Sequence, residues 1–247
     1  FRANGDRAVL SEVSTGLLWT APDGRLIPLE QWALEDDTEK EEGTVIVEDV
    51  AEQLPPVAVD DAFGVRAGEQ VLLPVLLNDH DPNKKDVLTI EPSSVSGTSD
   101  AAFGQLSLVA DGQAIVVDVA ASSGQASFTY SVTDGSAVSP PATVTLTVVD
   151  TGVNSAPVWC GVDACRQDWP TPQLLPGGST VVSALSAWVD PEGDPFVLAD
   201  AYEADPASPV MVVPMADGRV AIRHTDPNAT DAVIPVTVVV EDSRGAR

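Results

Sequence analysis

Apolar and polar positions alternate along much of this chain with a period of two. The clearest cases are Phe128-Thr129-Tyr130-Ser131-Val132 and Val144-Thr145-Leu146-Thr147-Val148. Such alternation turns one face of an extended strand inward and the other outward. From Pro55 onward, seven short β-prone runs follow one another: VAVDDAFGV, EQVLLPVLL, DVLTI, FGQLSLVA, QAIVVDV, ASFTYSVTD and ATVTLTVVD. Turn chemistry separates them at Ala67-Gly68, in the Asn78–Asp86 loop, and at Asp111-Gly112, Ser123-Gly124 and Asp134-Gly135. Seven strands in about 95 residues predict an antiparallel β-sandwich. No stretch of helical length carries a 3.6-residue apolar period; Leu29–Leu34 comes nearest and is too short.

The remaining segments add to this plan. Residues 1–34 read as a short meander of strands RAVLSEV, LLWTA and RLIPL, turned at Thr15-Gly16 and Asp23-Gly24, with Trp19 as its anchor. Three strands cannot bury two faces alone, so the meander needs a neighbour. Residues 35–54 read as an acidic linker, residues 55–150 as the first sandwich and residues 151–247 as a second. The second repeats landmarks of the first. Asn154-Ser155-Ala156-Pro157 echoes Leu54-Pro55-Pro56-Val57, Asp190-Pro191-Glu192-Gly193-Asp194 echoes Asp81–Asp86, and Ala216-Asp217-Gly218 echoes Ala110-Asp111-Gly112. An offset of about 100–110 residues is that of a domain-sized tandem repeat. By this register the chain stops where the second sandwich should begin its last strand. A simple truncation explains that, and so does a strand supplied by another chain, since an open edge is a template for strand addition.

Composition narrows the function. Twelve Lys and Arg against 38 Asp and Glu leave a net charge of −26 over 247 residues. Nine of the acids fall between Glu35 and Glu52, where like charges extend a solvated linker. Too few cations remain to neutralise a nucleic-acid backbone, and an anionic membrane surface would repel the chain. With no apolar run of about 18 residues, nothing in the sequence predicts a membrane span. Yet 44% of residues are hydrophobic, enough for real cores. The opening FRANGDRAVL lacks signal-peptide character, so the chain reads as an internal, monomeric piece of a longer protein. Cys160 and Cys165 are the only cysteines, spaced CxxxxC. That is not a CxxC redox or zinc motif, and a structural disulfide in an extracytoplasmic setting is the better reading.

The string PPVAVDDAFGVRAGEQVLLPVLLNDHDPNKKDVLTI, closing with ASFTYSVTDG and ATVTLTVVD, resembles the cadherin-like and Ig-like repeats of long bacterial surface proteins. The shared pattern is a Pro-x-Ala-x-Asp-Asp start, a Leu-rich strand ending in Asn-Asp, an Asp-Pro-x-Gly-Asp loop and a Tyr-x-Val-x-Asp-Gly near the end. Residues 55–149 carry all of it except the loop, where Lys84-Lys85 intervene, and residues 154–242 carry it more loosely, with Val238 at the tyrosine position. The Ala/Val/Asp-rich composition is similar to that of large actinobacterial surface proteins with Ig-like and fibronectin-III-like domains, where such domains follow a propeller-like region. The resemblance implies an all-β chain of tandem sandwiches. It also implies a noncatalytic extracellular spacer, or an adhesion or ligand-binding module, that meets a protein or glycan at a cell surface.

Three chemistries are candidates. Calcium takes six to eight oxygens from closely spaced turns, and the turns here offer Asp60, Asp61, Asp79, Asp81 and Asp86 in the first repeat, and Asp190, Glu192, Asp194 and Asp242 in the second. The same turns form without metal, so no cofactor is required. A metal near Asp60, Asp61 and Asp150 to Asn154 would stiffen the link between the sandwiches. Trp169 is the tryptophan expected at the surface, a ring that could stack on a sugar or a partner. That keeps a carbohydrate-binding accessory module of a secreted enzyme as an alternative. For catalysis the sequence names no residue: His80 and His224 each precede an Asp-Pro, and no GxSxG, HExxH or P-loop is present.

Overall fold

The computed structural model describes residues 2–4, 7–11, 18–21, 53–83, 87–205 and 207–247. It divides into two compact units, Phe1–Ala51 and Glu52–Arg247. In the first unit, β1 (Arg2–Asn4), β2 (Arg7–Ser11) and β3 (Leu18–Ala21) form an antiparallel meander. The hairpin of β1 and β2 went unread because Arg-Ala-Asn is too short to show alternation. The Asn4-Gly5 pair at its end was the available signal. The expected strand RLIPL, the acidic stretch 35–52 and the packing of Trp19 lie outside the described residues.

In the second unit, residues 61–148 form a two-layer sandwich. One layer holds β4 (Asp61–Val65), β9 (Gln125–Tyr130) and β11 (Ala142–Val148) in the order β4-β11-β9, together with the pair β10 (Val132–Thr133) and β6 (Thr89–Ile90). The other holds β5 (Gln70–Leu73), β7 (Gly104–Val109) and β8 (Ala114–Val119) in the order β5-β8-β7. β4 runs parallel to β11, and the remaining pairs are antiparallel. All seven runs give strands, and the proline-interrupted one is shortened. Pro74 has no N–H for a ladder, so EQVLLPVLL yields β5 and then a 3-10 turn at Val75–Leu77. Alternating residues meet in the core, among them Val65, Leu73, Ile115, Val117, Val144 and Leu146.

The second half is also all-β. β13 (Ser179–Ser183), β17 (Arg219–His224) and β16 (Val210–Pro214) form one sheet in the order β13-β17-β16. β15 (Phe196–Tyr202) pairs with β18 (Thr237–Asp242), and β12 (Val158–Trp159) pairs with β14 (Trp188–Val189). Its own core is small, built on Ala184, Ala201, Val220 and Ile222. Val189 packs instead into the core of the first sandwich. Among the described residues, β18 pairs with β15 alone, whereas β9 in the first sandwich is flanked by β11.

Candidate functional site

The richest chemistry lies where the two sandwiches touch. Arg66 follows the last residue of β4 and is 2% exposed. Its Nε donates to both Asp194 oxygens at 3.1 Å, and Nη2 donates to Asp194 Oδ2 at 2.6 Å. Nη1 donates to the Asp150 carbonyl at 2.7 Å, and Nη2 also donates to the Val153 carbonyl at 2.7 Å. One planar guanidinium thus ties the end of β4, the connection between the sandwiches and a loop of the second sandwich. The hydrogen bonds to Asp194 raise the Arg66 pKa. Burial alone would raise that of Asp194, but Arg66 and Arg244 outweigh it and hold the carboxyl below its ordinary range.

Two glycines allow this approach. A Cβ on Gly64 would overlap the Pro191 carbonyl, and one on Gly193 would meet Val71 Cγ1 at 2.6 Å and the Gly64 carbonyl oxygen at 2.9 Å. Gly193 also has φ +78°, which other residues adopt only with strain.

The loop that Arg66 grips, residues 190–194, is an acidic turn closed on itself. Asp190 Oδ1 accepts the N–H groups of Glu192 at 3.0 Å and Asp194 at 2.9 Å. Glu192 accepts the Ser155 N–H at 2.8 Å and the Ser155 hydroxyl at 2.9 Å. Arg244, just past β18, donates from Nε to Asp194 Oδ1 at 3.1 Å. Asp190, Glu192 and Asp194 each present a carboxylate oxygen within 4.8 Å of the others, the one such group among the described residues. Burial, reinforced by the neighbouring charges of Asp194 and Glu192, raises the Asp190 pKa despite its two N–H partners.

At the opposite end of β4, a second acidic cluster surrounds Tyr130. Its hydroxyl lies 3.1 Å from Asp61 Oδ2, 3.0 Å from Asp79 Oδ2 and 3.0 Å from the Val75 carbonyl. One hydroxyl hydrogen cannot serve three acceptors, an arrangement that favours proton uptake by the carboxyl pair. Burial, and then the Asp79 charge, pushes Asp61 up to about 7; burial pushes Asp79 up to about 6. Asn78 donates to Asp61 Oδ1 at 3.0 Å and to the Asp163 carbonyl at 3.2 Å. With the Arg166 N–H bonded to the Leu77 carbonyl at 2.9 Å, this fastens the 160–166 loop to the first sandwich.

That loop carries the disulfide, Cys160 to Cys165, with Cα atoms 5.7 Å apart. Beside it Trp169 stands edge-on between Trp159 and Trp188, at 76° and 68° to their rings. Trp169 is 43% exposed. Trp188 donates from Nε1 to the Ala184 carbonyl at 2.9 Å.

The nine candidate acids therefore do not form one site. Asp190, Glu192 and Asp194 come together. Asp61 and Asp79 come together around Tyr130. Asp60 points outward and accepts the Thr143 N–H. Asp81 Oδ1 caps the Asn83 N–H, and Asp242 Oδ1 caps the N–H groups of Arg244 and Ala246. Asp86 lies outside the described residues. The link imagined between Asp60, Asp61 and Asp150 to Asn154 is not one place. Asp61 begins β4, whereas the Asp150 carbonyl is met by Arg66 beyond the strand's other end, a separation of roughly five residues of extended chain. A guanidinium fastens the junction there. Arg66, Ser155 and Arg244 were not singled out from sequence, and Tyr130 was marked there only as a strand and repeat-motif residue. For Arg66 the signal was a lone cation directly after an apolar strand in a chain with few cations.

Residues 53–147 match the family model described as bacterial Ig domain. No curated protein sequence matches the chain. Among solved structures, an endo-fucoidan hydrolase of glycoside hydrolase family 107 aligns at TM-score 0.29 and 16% identity, over 98% of this chain and 38% of that one. A Dscam structure solved for isoform specificity aligns at 0.32 and 15%, over 79% and 50%. The human desmocollin-1 ectodomain aligns at 0.26 and 15%, over 79% and 35%. The chain thus spans half or less of each of these proteins. Scores this low assign no role to any residue.

Proposed function

We propose that this chain is a noncatalytic, extracytoplasmic module of a bacterial surface protein, acting as a stiff spacer that presents an adhesion or ligand-binding face. The observation that carries the reading is the junction. Arg66 and the paired glycines join two sandwiches over a closely packed contact, which suits a rod segment that must hold its angle. The bacterial Ig domain match and the disulfide support a place outside the cytoplasm.

The glycan-binding alternative draws less support. Sugar platforms use flat, coplanar rings, and Trp169, the exposed ring, stands at 76° to Trp159 and 68° to Trp188. A protein ligand is the favoured partner. Protease shaving of intact cells tests the location. Peptides of this chain released from whole cells support the reading, and peptides released only after lysis contradict it.

A further inference from the structure

Between the disulfide lobe and the first sandwich lies a cleft of about 320 Å³ that the Arg66 junction does not use. Leu76, Val87 and Leu88 give it apolar walls, and His80, Asp81, Gln113 and Gln167 give it polar ones. The cleft is short of donors. Asp81 Oδ1 takes the Asn83 N–H, but Oδ2 is sheltered from solvent with no partner among the described residues. His80 Nδ1 is sheltered and unpartnered in the same way, and it accepts in the neutral tautomer protonated at Nε2. Gln113 turns its amide nitrogen to the Leu88 carbonyl at 3.0 Å, which leaves its carboxamide oxygen as a further acceptor. Orphaned acceptors are costly until a donor reaches them. Two residues beyond Gln167 stands the exposed ring of Trp169, edge-on to Trp159 and Trp188.

We propose that this cleft is the docking pocket for an arginine side chain of a protein partner, with Trp169 as the neighbouring contact. Charge favours a cation. Asp79 and Asp81 line the cleft and Asp163 and Asp168 are exposed on the lobe, where Arg166 is the one cation. A metal ion does not fit, because Asp79, His80 and Asp81 do not bring ligand atoms within 4.8 Å of one another as the 190–194 carboxylates do. Separated acceptors suit a guanidinium, whose five N–H donors spread over a rigid planar fork. Its alkyl stem lies along Leu76, Val87 and Leu88. The exposed Val87 and Gln167 form the rim that turns aside to admit it. The volume is at the low end of the range of about 300–1,000 Å³ for ligand pockets, which suits one side chain better than a run of sugars. The disulfide and the bonds from Asn78 and Arg166 fix the lobe on the first sandwich beforehand, so binding carries little ordering cost. The inference rests on the ligand-binding half of the proposed function and names its partner's chemistry. The spacer half and the protease-shaving test stand apart from it.

The test titrates the full chain, labelled with nitrogen-15, with the capped peptide acetyl-Gly-Arg-Gly-amide. Saturable shifts of the Gln113 and Gln167 side-chain amides and of the Trp169 indole N–H are expected, with a dissociation constant on the order of 1 mM. The same peptide with neutral citrulline in place of arginine should leave these signals unmoved. Asp81→Asn keeps the Oδ1 acceptor of its turn and should abolish the shifts at peptide concentrations up to about 10 mM, whereas Asp217→Asn, an exposed acid elsewhere, should keep them. Should Asp81→Asn fail to fold, the comparison of arginine with citrulline in the wild-type chain decides alone. Three results would overturn the proposal: no shift at about 10 mM arginine peptide, equal shifts with citrulline, or equal shifts in Asp81→Asn. Glucosamine that moves the same signals as strongly would overturn the assignment to a protein partner.

Discussion

Arg66 and Asp194 stand 128 positions apart in the chain and form a buried, forked ion pair with an Nη2–Oδ2 distance of 2.6 Å. Removing one member of such a pair strands the other charge, at a cost of about 3–5 kcal/mol. Arg66→Ala should therefore weaken the second unit by that amount, with Asp194→Asn somewhat milder because Arg66 keeps its two carbonyl acceptors. Urea denaturation followed by tryptophan fluorescence reads this directly, since three tryptophans lie in the second half.

Sterics offer an independent probe of the same contact. Gly64→Ala introduces a methyl group where the Pro191 carbonyl sits, and Gly193→Ala adds one against Val71 at a positive φ. Each should open the junction while leaving the core of the first sandwich intact. Limited proteolysis would then cut the connection near residues 150–156 much faster than in wild type. Unchanged cleavage rates would mean that the close approach is dispensable.

Acidity should act through the Tyr130 cluster. Asp61 at about 7 and Asp79 at about 6 lie above the ordinary aspartate value of about 3.9. The folded state therefore binds protons more tightly than the unfolded one. Stability from this pair is fully present below pH about 4 and is lost as pH rises towards 7. Asp194 has the opposite sign, since its depressed pKa gives stability that is lost on acidification. Asp61→Asn should flatten the loss between about pH 4 and 7 in a series of melting curves. A wild-type stability that instead rises steadily across this range would contradict the assignment.

Reduction isolates the tryptophan lobe. Opening the Cys160–Cys165 bond restores chain entropy of about 2 kcal/mol to a loop this short. The Asn78 and Arg166 anchors remain. Cys160→Ser with Cys165→Ser should accordingly lower stability by about that amount and loosen the Trp159–Trp169 contact without unfolding the sandwiches. Near-ultraviolet circular dichroism would register the ring change.

Much of the fold was legible because alternation survives in every main strand of the first sandwich. Each departure has a local cause, such as the missing N–H of Pro74. The site was legible only in part. Asp60 and Asp61 are neighbours in sequence, but successive strand residues face opposite sides. Asp61 is therefore buried under Tyr130, while Asp60 meets Thr143 outside. The Asp190, Glu192 and Asp194 turn was readable from its spacing. Its partner Arg66 was marked only as a lone cation after an apolar strand, which does not reveal that its acceptor lies in another sandwich.

The central claim is that Arg66 makes the two sandwiches one rigid body. Spin labels at Gln125→Cys on β9 and Met211→Cys on β16, both exposed in the folded chain, report the distance between sandwiches by pulsed electron resonance. The account predicts one narrow distance distribution that broadens when Arg66→Ala is added. A broad distribution in the chain that retains Arg66, or a narrow one that ignores its loss, would contradict it.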